Sequence, residues 1–487
     1  RYSTPEMLAI EAQVIEGALA RQSEGAGLAT PEALDGVLAK ESKLSEEQKE
    51  MLVRLATSGH GVEVVAAPAG TGKTTAFAAA REIWERSGRH VFGCALSARA
   101  AEELRAKSGI EAYTIDSLLI DLQHPHHGGL LRASVLIVDE AAMVDTRKLE
   151  PLLWIAEQSE TKVVLAGDDR QLPEIDAGGA FRGITKRTQP IKLTENRRQE
   201  DPWERRSLKD LRDGDPTKAI AAYIEHGAVV AGTDPELVRQ RGVEDWWAHF
   251  QAGGDGLMLT RSRAEAQELN QRARLLMADA GKLGEEIEVA ERRFAVGDRV
   301  MTTRNTRRLG VLNGTRGFVE AVDAERKEVI VKTDDGRSIT LPRSFLEAGK
   351  LTHAYAFTGH KSQGATADRV FVFFDEKAFR EWSYSTLSRG KRDNRLYMTV
   401  SETAFRKEVG GATEELRDPM AQLLWCVNRS GAKQLALDRL PLSELSDSLL
   451  EAERDRIQEA LARPPDRPAA YLQSIEEKLE KTTRGLE

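Results

Sequence analysis

Cysteines and long apolar runs are scarce in this chain of 487 residues. Its two cysteines, Cys94 and Cys426, lie far apart, which excludes a disulfide framework and a cysteine-based zinc site. No apolar run approaches the roughly 18 residues that cross a bilayer, no secretory signal follows Arg1, and no solenoid period recurs. We therefore expect a cytoplasmic protein without a membrane segment. The start at Arg1 rather than methionine predicts a processed chain or an excised part of a longer one.

An excess of positive charge is also missing. The chain carries 70 Lys and Arg against 78 Asp and Glu, a net charge of -8, so its surface as a whole does not attract nucleic acid. Any nucleic-acid binding must therefore use a local groove. The clearest basic stretch, residues 299–316, contains no acid, and such a run alone is typical of a solvated surface. Its arginines are Arg299, Arg304, Arg307, Arg308 and Arg316.

Short apolar runs alternate with amphipathic helical stretches from about Leu44 onward. This alternation predicts buried parallel strands in two doubly wound α/β domains. In between, alternating apolar and polar residues with hairpin-turn signals at Asn313-Gly314 and Asp334-Asp335-Gly336 predict a small β-barrel insert. Near the start, Thr4-Pro5-Glu6 predicts a helix that runs to about Ala20. The predicted strands are residues 62–67, 90–96, 135–138 and 162–166 in the first domain and 256–260, 369–374 and 395–400 in the second.

The stretch AAPAGTGKTT, residues 66–75, has the form of a phosphate-binding loop between a strand and a helix. Backbone N–H groups at the helix start cradle phosphates, Lys73 reaches the β and γ oxygens, and Thr74 would ligate Mg²⁺. Ala67 stands where a glycine is usual, but that position requires only a small side chain. A glycine-rich turn without a ligand is the alternative, and the flanking strand and helix disfavour it. The predicted nucleotide contacts are Ala69, Gly70, Thr71, Gly72, Lys73, Thr74 and Thr75.

Two further predicted strands end in polar residues. In VLIVDEAAMVD, Asp139 would hold Mg²⁺ and Glu140 would act as general base for the attacking water. A helix N-terminus also favours acids, but it does not explain the apolar strand that leads into them. Parallel strands bring such residues to the carboxyl edge of the sheet, where ligands bind. Gln171, in KVVLAGDDRQLP, would contact the γ-phosphate; a polar turn is the better interpretation of that segment when it is taken alone.

Gln48 has two interpretations that remain open together. With Ser45 it matches a helix capping box, and its amide also suits the edge of an adenine ring.

Seven motifs in order resemble a superfamily 1B DNA helicase of the RecD-like branch over about residues 44–400. They are LSEEQ, APAGTGKTT, DEAAMV, GDDRQLP, LTENRRQ, TGHKSQGAT and YSTLSRG. The resemblance implies an α/β fold of two RecA-like P-loop NTPase domains with ATP between them, an SH3-like insert in the second, and helical N- and C-terminal extensions. The implied domains are residues 1–43, 44–195, 196–295 with 351–414, the insert at 296–350, and the tail at 415–487.

The same resemblance implies the reaction and its residues. The cofactors would be ATP and Mg²⁺, and the partners single-stranded DNA and duplex junctions, with 5′-to-3′ movement. Arg198 and Arg389 match the family's γ-phosphate arginines, and Arg197 is an adjacent competitor. The implied catalytic residues are Lys73, Glu140, Gln171, Arg198 and Arg389.

Contacts to DNA are likewise implied by the matching motifs. A histidine that the family often has is replaced by Asp116, so no contact is expected there. Gln363 and Gly364 lie where the family links its DNA and ATP sites. The SH3-like insert is usually set against the exiting strand, which would give the arginine run a use. The implied DNA contacts are Ser97, Thr114, Thr358, His360, Lys361 and Ser362.

Both ends of the chain resemble segments that flank the helicase part of actinobacterial MobF-type conjugative relaxases. This predicts a helicase module that acts with a covalently linked relaxase domain and the conjugation machinery. Three alternatives stay open: a free-standing RecD-like helicase, a DNA-tethering module without unwinding activity, and a phosphate-loop kinase. Residues 121–131 match the position of a strand-separating pin; zinc binding by their histidines is disfavoured because further ligands are lacking. Those histidines are His124, His126 and His127.

Overall fold

The computed structural model describes residues 4–123, 132–174, 177–399 and 418–439. They form two compact units, made of the described residues of Arg1–Glu195 with Ala432–Glu487 (unit 1) and of Asn196–Gly431 (unit 2). The histidines considered for zinc, most of the predicted pin and most of the predicted tail lie outside the described residues. Within the described part, none of the helices is both long enough and apolar enough to span a membrane.

Unit 1 is a parallel sheet with helices on both faces. Its strands are β1 (Val62–Ala66), β2 (Val91–Ala95), β3 (Glu111–Thr114), β4 (Val135–Asp139), β5 (Lys162–Gly167) and β6 (Ile191–Lys192). Its helices are α1 (Pro5–Ala20), α2 (Pro31–Leu38), α3 (Glu46–Thr57), α4 (Lys73–Arg86), α5 (Ala98–Ser108), α6 (Ile115–Gln123), α7 (Thr146–Gln158) and α8 (Ala180–Arg187). All strand pairs are parallel in the order β3-β2-β4-β5-β1-β6, so β1, β4 and β5 end at one edge.

Both ends of the unit 1 chain pack onto this sheet. As predicted, α1 starts at a Thr4 cap, whose hydroxyl accepts a hydrogen bond from the Met7 backbone N–H. The returning segment carries Leu435, which is buried against α8 where a Cβ on Gly183 would overlap it. The backbone N–H of Leu437 donates to Glu11 of α1 at 3.1 Å. Unit 1 is therefore assembled from both ends of its sequence.

A buried ion pair supports the strand that leads into the phosphate loop. Glu63 of β1 and Lys162 of β5 are 2% and 0% exposed, with the carboxylate 3.8 Å from the ammonium. Arg54 of α3 also contacts Glu63, at 2.9 Å, and the Lys162 ammonium donates to the His60 carbonyl at 2.9 Å. Burial lowers the pKa of Lys162 to about 8, although the charge of Glu63 acts in the opposite direction. Removing Glu63 would thus leave the buried Lys162 cation without its counter-charge.

Unit 2 begins with helices that flank a second sheet. Its first elements are α9 (Pro202–Asp213), α10 (Pro216–Glu225), β7 (Val229–Gly232), α11 (Pro235–Gln251), β8 (Gly256–Thr260) and α12 (Arg263–Asp279). An antiparallel segment follows: β9 (Glu286–Val289), β10 (Arg292–Ala295), β11 (Arg299–Thr302), β12 (Arg316–Asp323), β13 (Glu328–Thr333), β14 (Ser338–Leu341), α13 (Arg343–Glu347) and β15 (Leu351–His353). The unit continues through β16 (Ala356–Thr358), β17 (Arg369–Phe374), α14 (Arg380–Leu387), β18 (Arg395–Thr399) and α15 (Pro419–Asn428).

The two five-stranded sheets of unit 2 differ in strand direction. Strands β16-β8-β17-β18-β7 are all parallel, whereas β14-β13-β12-β11-β15 are antiparallel, and β9 and β10 form a separate hairpin. The predicted turn Asp334-Asp335-Gly336 joins β13 to β14, whereas Asn313-Gly314 lies near the end of a longer connection, residues 303–315, between β11 and β12. The α/β fold class with RecA-like parallel sheets and an SH3-like domain is confirmed. The hairpin of β9 and β10 was not predicted.

Asp298 holds the SH3-like domain against α12. It is 0% exposed, and both of its carboxylate oxygens lie 3.0 Å from the Arg274 guanidinium of α12. The Tyr355 hydroxyl and the Ala295 N–H donate to it at 2.8 and 2.7 Å. One buried carboxylate thus joins α12, the hairpin and the segment between β15 and β16.

Glu63→Gln tests the buried ion pair of unit 1. Breaking a buried pair leaves uncompensated charge, so we expect it to lower the free energy of unfolding of unit 1 by about 3 kcal/mol. Urea unfolding followed by circular dichroism measures the change. The matched control is Glu102→Gln, which removes an exposed ion pair with Arg105 and should leave the midpoint unchanged. Equal midpoints for the two variants would contradict the assignment.

Candidate nucleotide site

The loop between β1 and α4 has the backbone geometry of an anion cradle. Gly70 and Gly72 adopt left-handed backbone angles, φ 86° and 74°, which favour glycine. A Cβ on Gly72 would also lie 2.6 Å from the Gln48 amide nitrogen. Among the described residues no side chain caps the N-terminus of α4, so its first N–H groups suit a phosphate. Ala67 is buried and donates its N–H to Gly167 of β5 at 2.9 Å, consistent with a need for a small residue.

The Gln48 side chain supports this loop through hydrogen bonds to its backbone. It is 2% exposed, and its amide nitrogen donates to the carbonyls of Thr71 and Gly72 at 3.1 and 3.2 Å. Its amide oxygen accepts from the Ser45 N–H at 3.0 Å, which completes the predicted capping box. The side chain therefore fixes both the start of α3 and the loop. Contact with adenine stays a prediction.

Lys73 and Asp139 meet at the carboxyl edge of the sheet. The ammonium of Lys73 lies 2.5 Å from Oδ1 of Asp139. Burial alone would lower the pKa of Lys73, but the charges of Asp139 and Glu140 outweigh burial and raise that pKa well above its usual range. Lys73 therefore stays a cation, available to a phosphate oxygen. Two residues predicted from separate motifs are thus in contact.

Glu140 sits in an unusual backbone conformation directly after β4. Its φ is 54° and its ψ is 35°, in the left-handed region that a non-glycine residue seldom adopts and that functional sites often contain. Its N–H donates to Asp139 Oδ1 at 2.9 Å. The turn also packs tightly on β5, since a Cβ on Gly167 would lie 2.8 Å from the Ala142 nitrogen. This packing fixes the direction in which the Glu140 backbone leaves the strand.

Asp168, which was not among the predicted site residues, belongs to the same edge. It is 2% exposed, and its carboxylate accepts from the Gln171 amide at 3.3 Å and from the Arg170 N–H at 3.1 Å. Its charge also contributes to the raised pKa of Lys73. Asp168 therefore orients Gln171 and faces the lysine. The signal was present in GDDRQLP, where an acid follows the strand directly.

The donor set suits a magnesium ion that is shared with a nucleotide. The described residues contain no cluster of three or more His, Cys, Asp and Glu side chains able to hold a metal alone. Mg²⁺ usually takes one or two carboxylates and completes its shell with substrate phosphates and water. The Thr74 hydroxyl and the Asp139 carboxylate would supply that partial set, with Thr71 in the loop before it and exposed Thr75 in the first turn of α4. The residues fit Mg²⁺-ATP.

The two predicted γ-phosphate arginines are neighbours within unit 2. The Arg198 guanidinium donates to the Ser388 carbonyl at 2.9 Å, one residue before Arg389. Arg389 is 3% exposed, and its Nε donates to Ser385 of α14 at 2.9 Å. The two motifs, far apart in sequence, therefore form one structural element.

The predicted DNA contacts fall into two groups. In unit 1, the hydroxyls of Ser97 and Thr114 accept hydrogen bonds from the N–H groups of Ala100 and Ser117, both at 3.1 Å. A hydroxyl that accepts one bond still has its own hydrogen to donate, so both residues remain compatible with phosphate contacts. These roles stay predictions.

The second group forms a 3-10 turn, Gly359–Ser362, directly after β16. His360 is exposed, whereas Ser362 is fully buried and donates its hydroxyl to the Gly359 carbonyl at 2.7 Å. The Ser362 side chain therefore shapes the turn. Thr358 precedes the turn, and Gly364, with φ 73°, follows it.

Two parts of the chain match known domain families. Residues 43–234 match the family described as "AAA domain", and residues 269–332 match "ATP-dependent RecD-like DNA helicase SH3 domain". The chain therefore carries RecD-like helicase domains. The second match begins inside α12 and ends in β13, so it includes the β9–β10 hairpin.

Two relatives and one solved structure illustrate the likeness. The conjugal transfer protein TraA of Rhizobium radiobacter is 33% identical over 445 residues, which are 90% of this chain and 39% of TraA. The ATP-dependent RecD2 DNA helicase of Deinococcus radiodurans is 29% identical, over 74% of this chain and 50% of RecD2. The chain thus spans half or less of these relatives. The Pif1 helicase of Candida albicans shares the fold, with a TM-score of 0.50, 21% identity, and 73% and 94% of the two chains covered.

A basic groove of this RecD-like chain lies within unit 2. It has a volume of about 980 Å³ and is lined by the predicted DNA contacts Thr358 and Lys361. Of the described residues that line it, Glu291 is the one acid; the basic ones are Arg263, Arg274, Arg292, Arg293, Arg304 and Lys361. Partial burial and the nearby Arg263 charge lower the pKa of Lys361. A bound phosphate would offset both effects.

The arginine run of the SH3-like domain divides by role. Arg299 pairs with Asp334 at 2.9 Å and lies 4.5 Å from the centre of the Phe318 ring. Arg316 is 8% exposed and 3.4 Å from the same aspartate. These two residues are structural, whereas Arg304 is exposed and lines the groove. The side chain of Arg307 lies outside the described part.

Gln48→Ala separates the loop brace from an adenine contact. Losing the hydrogen bonds to the Thr71 and Gly72 carbonyls should raise the KM for ATP about tenfold, the equivalent of about 1.4 kcal/mol, since each hydrogen bond contributes about 1 kcal/mol. Ser45→Ala, which removes the cap alone, is the control.

The nucleotide series decides between the two roles of Gln48. An equal rise in KM for ATP, GTP and CTP would assign Gln48 to the loop, and a rise confined to ATP would assign it to adenine. An unchanged KM for all three nucleotides would contradict both.

Proposed function

We propose that this chain is an ATP-driven motor that moves along single-stranded DNA in the 5′-to-3′ direction and unwinds duplex. The observation that carries the proposal is the contact between Lys73 and Asp139 at the edge of the sheet, with Glu140, Asp168 and Gln171 beside it. A phosphate loop, a metal-holding acid and a water-orienting group are the parts that nucleotide hydrolysis requires. The direction follows from the superfamily 1B resemblance.

Each group at this edge has a task in the proposed hydrolysis. The loop amides of residues 69–72 and the Lys73 ammonium hold the phosphates, and Mg²⁺ supplies charge neutralisation when it is bound. Glu140 accepts a proton from the attacking water, and its unusual backbone conformation directs it away from the strand. Gln171, oriented by Asp168, contacts the γ-phosphate. Arg198 and Arg389 stabilise the charge that develops during transfer, as arginine fingers do.

The groove of unit 2 supports the DNA half of the proposal. Thr358 and Lys361, predicted from their motif, line the same groove as Arg304 of the SH3-like domain. Arg304 and Lys361 form no ion pair with the described acidic side chains, so their charges are available to phosphates. Because phosphate contacts fix position without reading sequence, this groove suits sequence-independent binding. Local basicity of this kind reconciles DNA binding with a net charge of -8.

The biological setting that we propose is plasmid transfer. The similarity to the TraA proteins covers 90% of this chain, and the ends of the sequence resemble segments that flank the helicase part of conjugative relaxases. In that setting a linked relaxase domain and the cytoplasmic conjugation machinery would be the partners. A free-standing RecD-like helicase would show the same motor activity without these partners.

Lys73→Ala tests the nucleotide site. Removing the ammonium that holds the phosphates should lower DNA-stimulated ATP hydrolysis at least about 100-fold, while single-stranded DNA binding stays measurable. A coupled ATPase assay with and without oligonucleotide measures the first effect, and fluorescence anisotropy the second. The matched control is Lys107→Ala, on the exposed C-terminal turn of α5. Hydrolysis at the wild-type rate in Lys73→Ala would overturn the assignment.

Strand displacement tests the coupling of hydrolysis to unwinding. With ATP, the wild-type chain should release the strand from a 5′-tailed duplex and leave a 3′-tailed duplex intact. ATPase activity without displacement on either substrate would favour a DNA-tethering module. ATPase activity that DNA does not change would favour a small-molecule kinase.

Arg304→Ala and Lys361→Ala test the groove. Each variant should weaken single-stranded DNA binding and reduce the slope of log affinity against log salt by about 0.7 per lost phosphate contact. Affinity measured by anisotropy from 50 to about 300 mM salt gives the slope. Arg326→Ala is the control, because Arg326 is exposed outside the groove lining. Unchanged slopes in both groove variants would place the DNA elsewhere.

A further inference from the structure

The segment that carries Arg389 is contacted by residues for which the motifs predict no role. The segment runs from Ser388 to Asn394, and we call it the arginine loop. Its neighbours in space are residues 196–204, which lead from Arg198 into α9. Besides the Arg198 contact to Ser388, the Glu200 N–H donates to the Lys391 carbonyl at 2.8 Å. The two stretches therefore meet along most of the arginine loop.

Gln199 contacts the backbone on both sides of Arg389. It is 1% exposed, and its amide nitrogen donates to the carbonyls of Ser388 and Gly390 at 3.3 and 2.7 Å. Its amide oxygen accepts from the Asn196 amide at 2.6 Å. Because the side chain is buried and bonded at both ends of its amide, it has one orientation. This orientation fixes the peptide groups that flank Arg389.

Glu204 holds the far end of the arginine loop. It is 0% exposed, and its two carboxylate oxygens accept from the backbone N–H groups of Asp393 and Asn394, both at 3.0 Å. The Tyr223 hydroxyl of α10 lies 3.5 Å from the same carboxylate. A buried carboxylate is costly, and here it serves two loop amides rather than a cation.

The arginine loop is also braced from within. The Asn394 amide oxygen accepts from the Val370 N–H of β17 at 3.0 Å, and its nitrogen donates to the Leu387 carbonyl at 3.3 Å. Gly390 must lack a side chain, because a Cβ there would overlap the Asn394 amide. Gln199, Glu204 and Asn394 together therefore fix the backbone of the arginine loop.

We propose that Gln199 and Glu204 are positioning residues that hold Arg198 and Arg389 as one rigid element. The inference rests on the proposed function, in which both arginines stabilise the transferring phosphoryl group. A displacement of about 1 Å at such a group costs up to about 100-fold in rate. A loop with a fixed backbone therefore favours fast hydrolysis, because it keeps both arginines in place. Gln199 sets the peptides beside Arg389, and Glu204 sets the end of the loop.

Gln199→Met and Glu204→Gln test the inference. Both variants keep the size of the side chain, and both should lower the kcat of DNA-stimulated ATP hydrolysis about 10- to 100-fold, with KM for ATP within about twofold. Gln422→Met, which replaces a buried glutamine of α15 in the same unit, is the matched control and should leave kcat unchanged. Wild-type kcat in both loop variants would overturn the inference.

A double-mutant cycle separates positioning from a general effect on stability. If Gln199 acts through Arg389, then Gln199→Met should have little further effect on kcat in an Arg389→Lys background, because contacting residues are not additive. Full additivity of the two losses would contradict the positioning role. Unfolding midpoints of all the variants should stay near that of the wild type. A variant that does not fold is replaced by Gln199→Asn, which keeps the amide on a shorter arm and should also lower kcat.

The pH profile gives a readout that is specific for Glu204. Burial raises the pKa of Glu204 to about 7, with the charge of Asp201 adding to the effect. The Glu204 carboxyl therefore protonates as the pH falls through 7, loses one acceptor for the loop amides, and kcat should fall with it. In Glu204→Gln this part of the profile should be flat. Among the ionisable residues around Glu204, Asp201 acts on its pKa by charge, the Tyr223 hydroxyl lies against its carboxylate, and the Asp393 N–H donates to it. His226→Asn, next to Trp203, should leave the profile unchanged.

The contribution of Glu204 to the free energy of unfolding should change with pH in the opposite sense to kcat. Because the pKa of Glu204 in the folded chain lies above its ordinary value of 4.5, the folded state binds more protons than the unfolded state between pH 4.5 and about 7, and this contribution to stability falls as the pH rises. Glu204→Gln has no carboxyl to titrate at this position, so this loss of stability with rising pH is absent from the variant. A lower kcat without lower stability at pH 8 supports positioning, whereas matched losses of both would contradict it. If the wild-type chain lacks DNA-stimulated ATPase activity, the proposed function fails first, and the two failures are thereby distinguishable.

Discussion

The ion pair between Lys73 and Asp139 is the contact on which the nucleotide site of unit 1 depends. It joins the first residue of α4 to the last residue of β4, two elements whose positions are set by different strands of the parallel sheet. The pairing order β2-β4-β5-β1 brings their ends to one edge, and tight packing at Gly167 and Ala67 keeps the loops there close. The backbone of unit 1 therefore places the predicted phosphate-binding and metal-binding residues close together without a bound ligand.

The interior of both parallel sheets was predictable, and the edges were not. All seven predicted strands are interior strands: β2, β4, β5 and β1 in unit 1 and β8, β17 and β18 in unit 2. The four missed strands, β3, β6, β7 and β16, are the edge strands of the same two sheets. An interior strand is buried on both faces and shows a continuous apolar run. An edge strand is short or half-exposed, as Glu111–Thr114 and Val229–Gly232 are, so it lacks a long buried apolar run.

The candidate site divides in a similar way. The positions of Lys73, Asp139, Glu140 and Gln171 at the sheet edge were predictable, because each lies at a fixed distance from a strand end. Their roles stay predictions. Gln199 and Glu204 were missed because the backbone groups that they contact lie 189 to 191 positions away in sequence. The buried Ser362 hydroxyl donates to its own turn, and its contact with DNA stays a prediction. Spacing reveals which residues share an edge, and it does not reveal which of them support the others.

The return of residues 432–439 to unit 1 has a consequence for biosynthesis. Leu435 fills the space beside Gly183, and Glu11 of α1 binds the Leu437 amide, so unit 1 lacks part of its core until these residues have left the ribosome. By then all of unit 2 has been synthesised. Although domains commonly fold in order from the N-terminus, here the first unit is completed last, and its unfinished surface around α1 and α8 is exposed to chaperones while the second unit is being made.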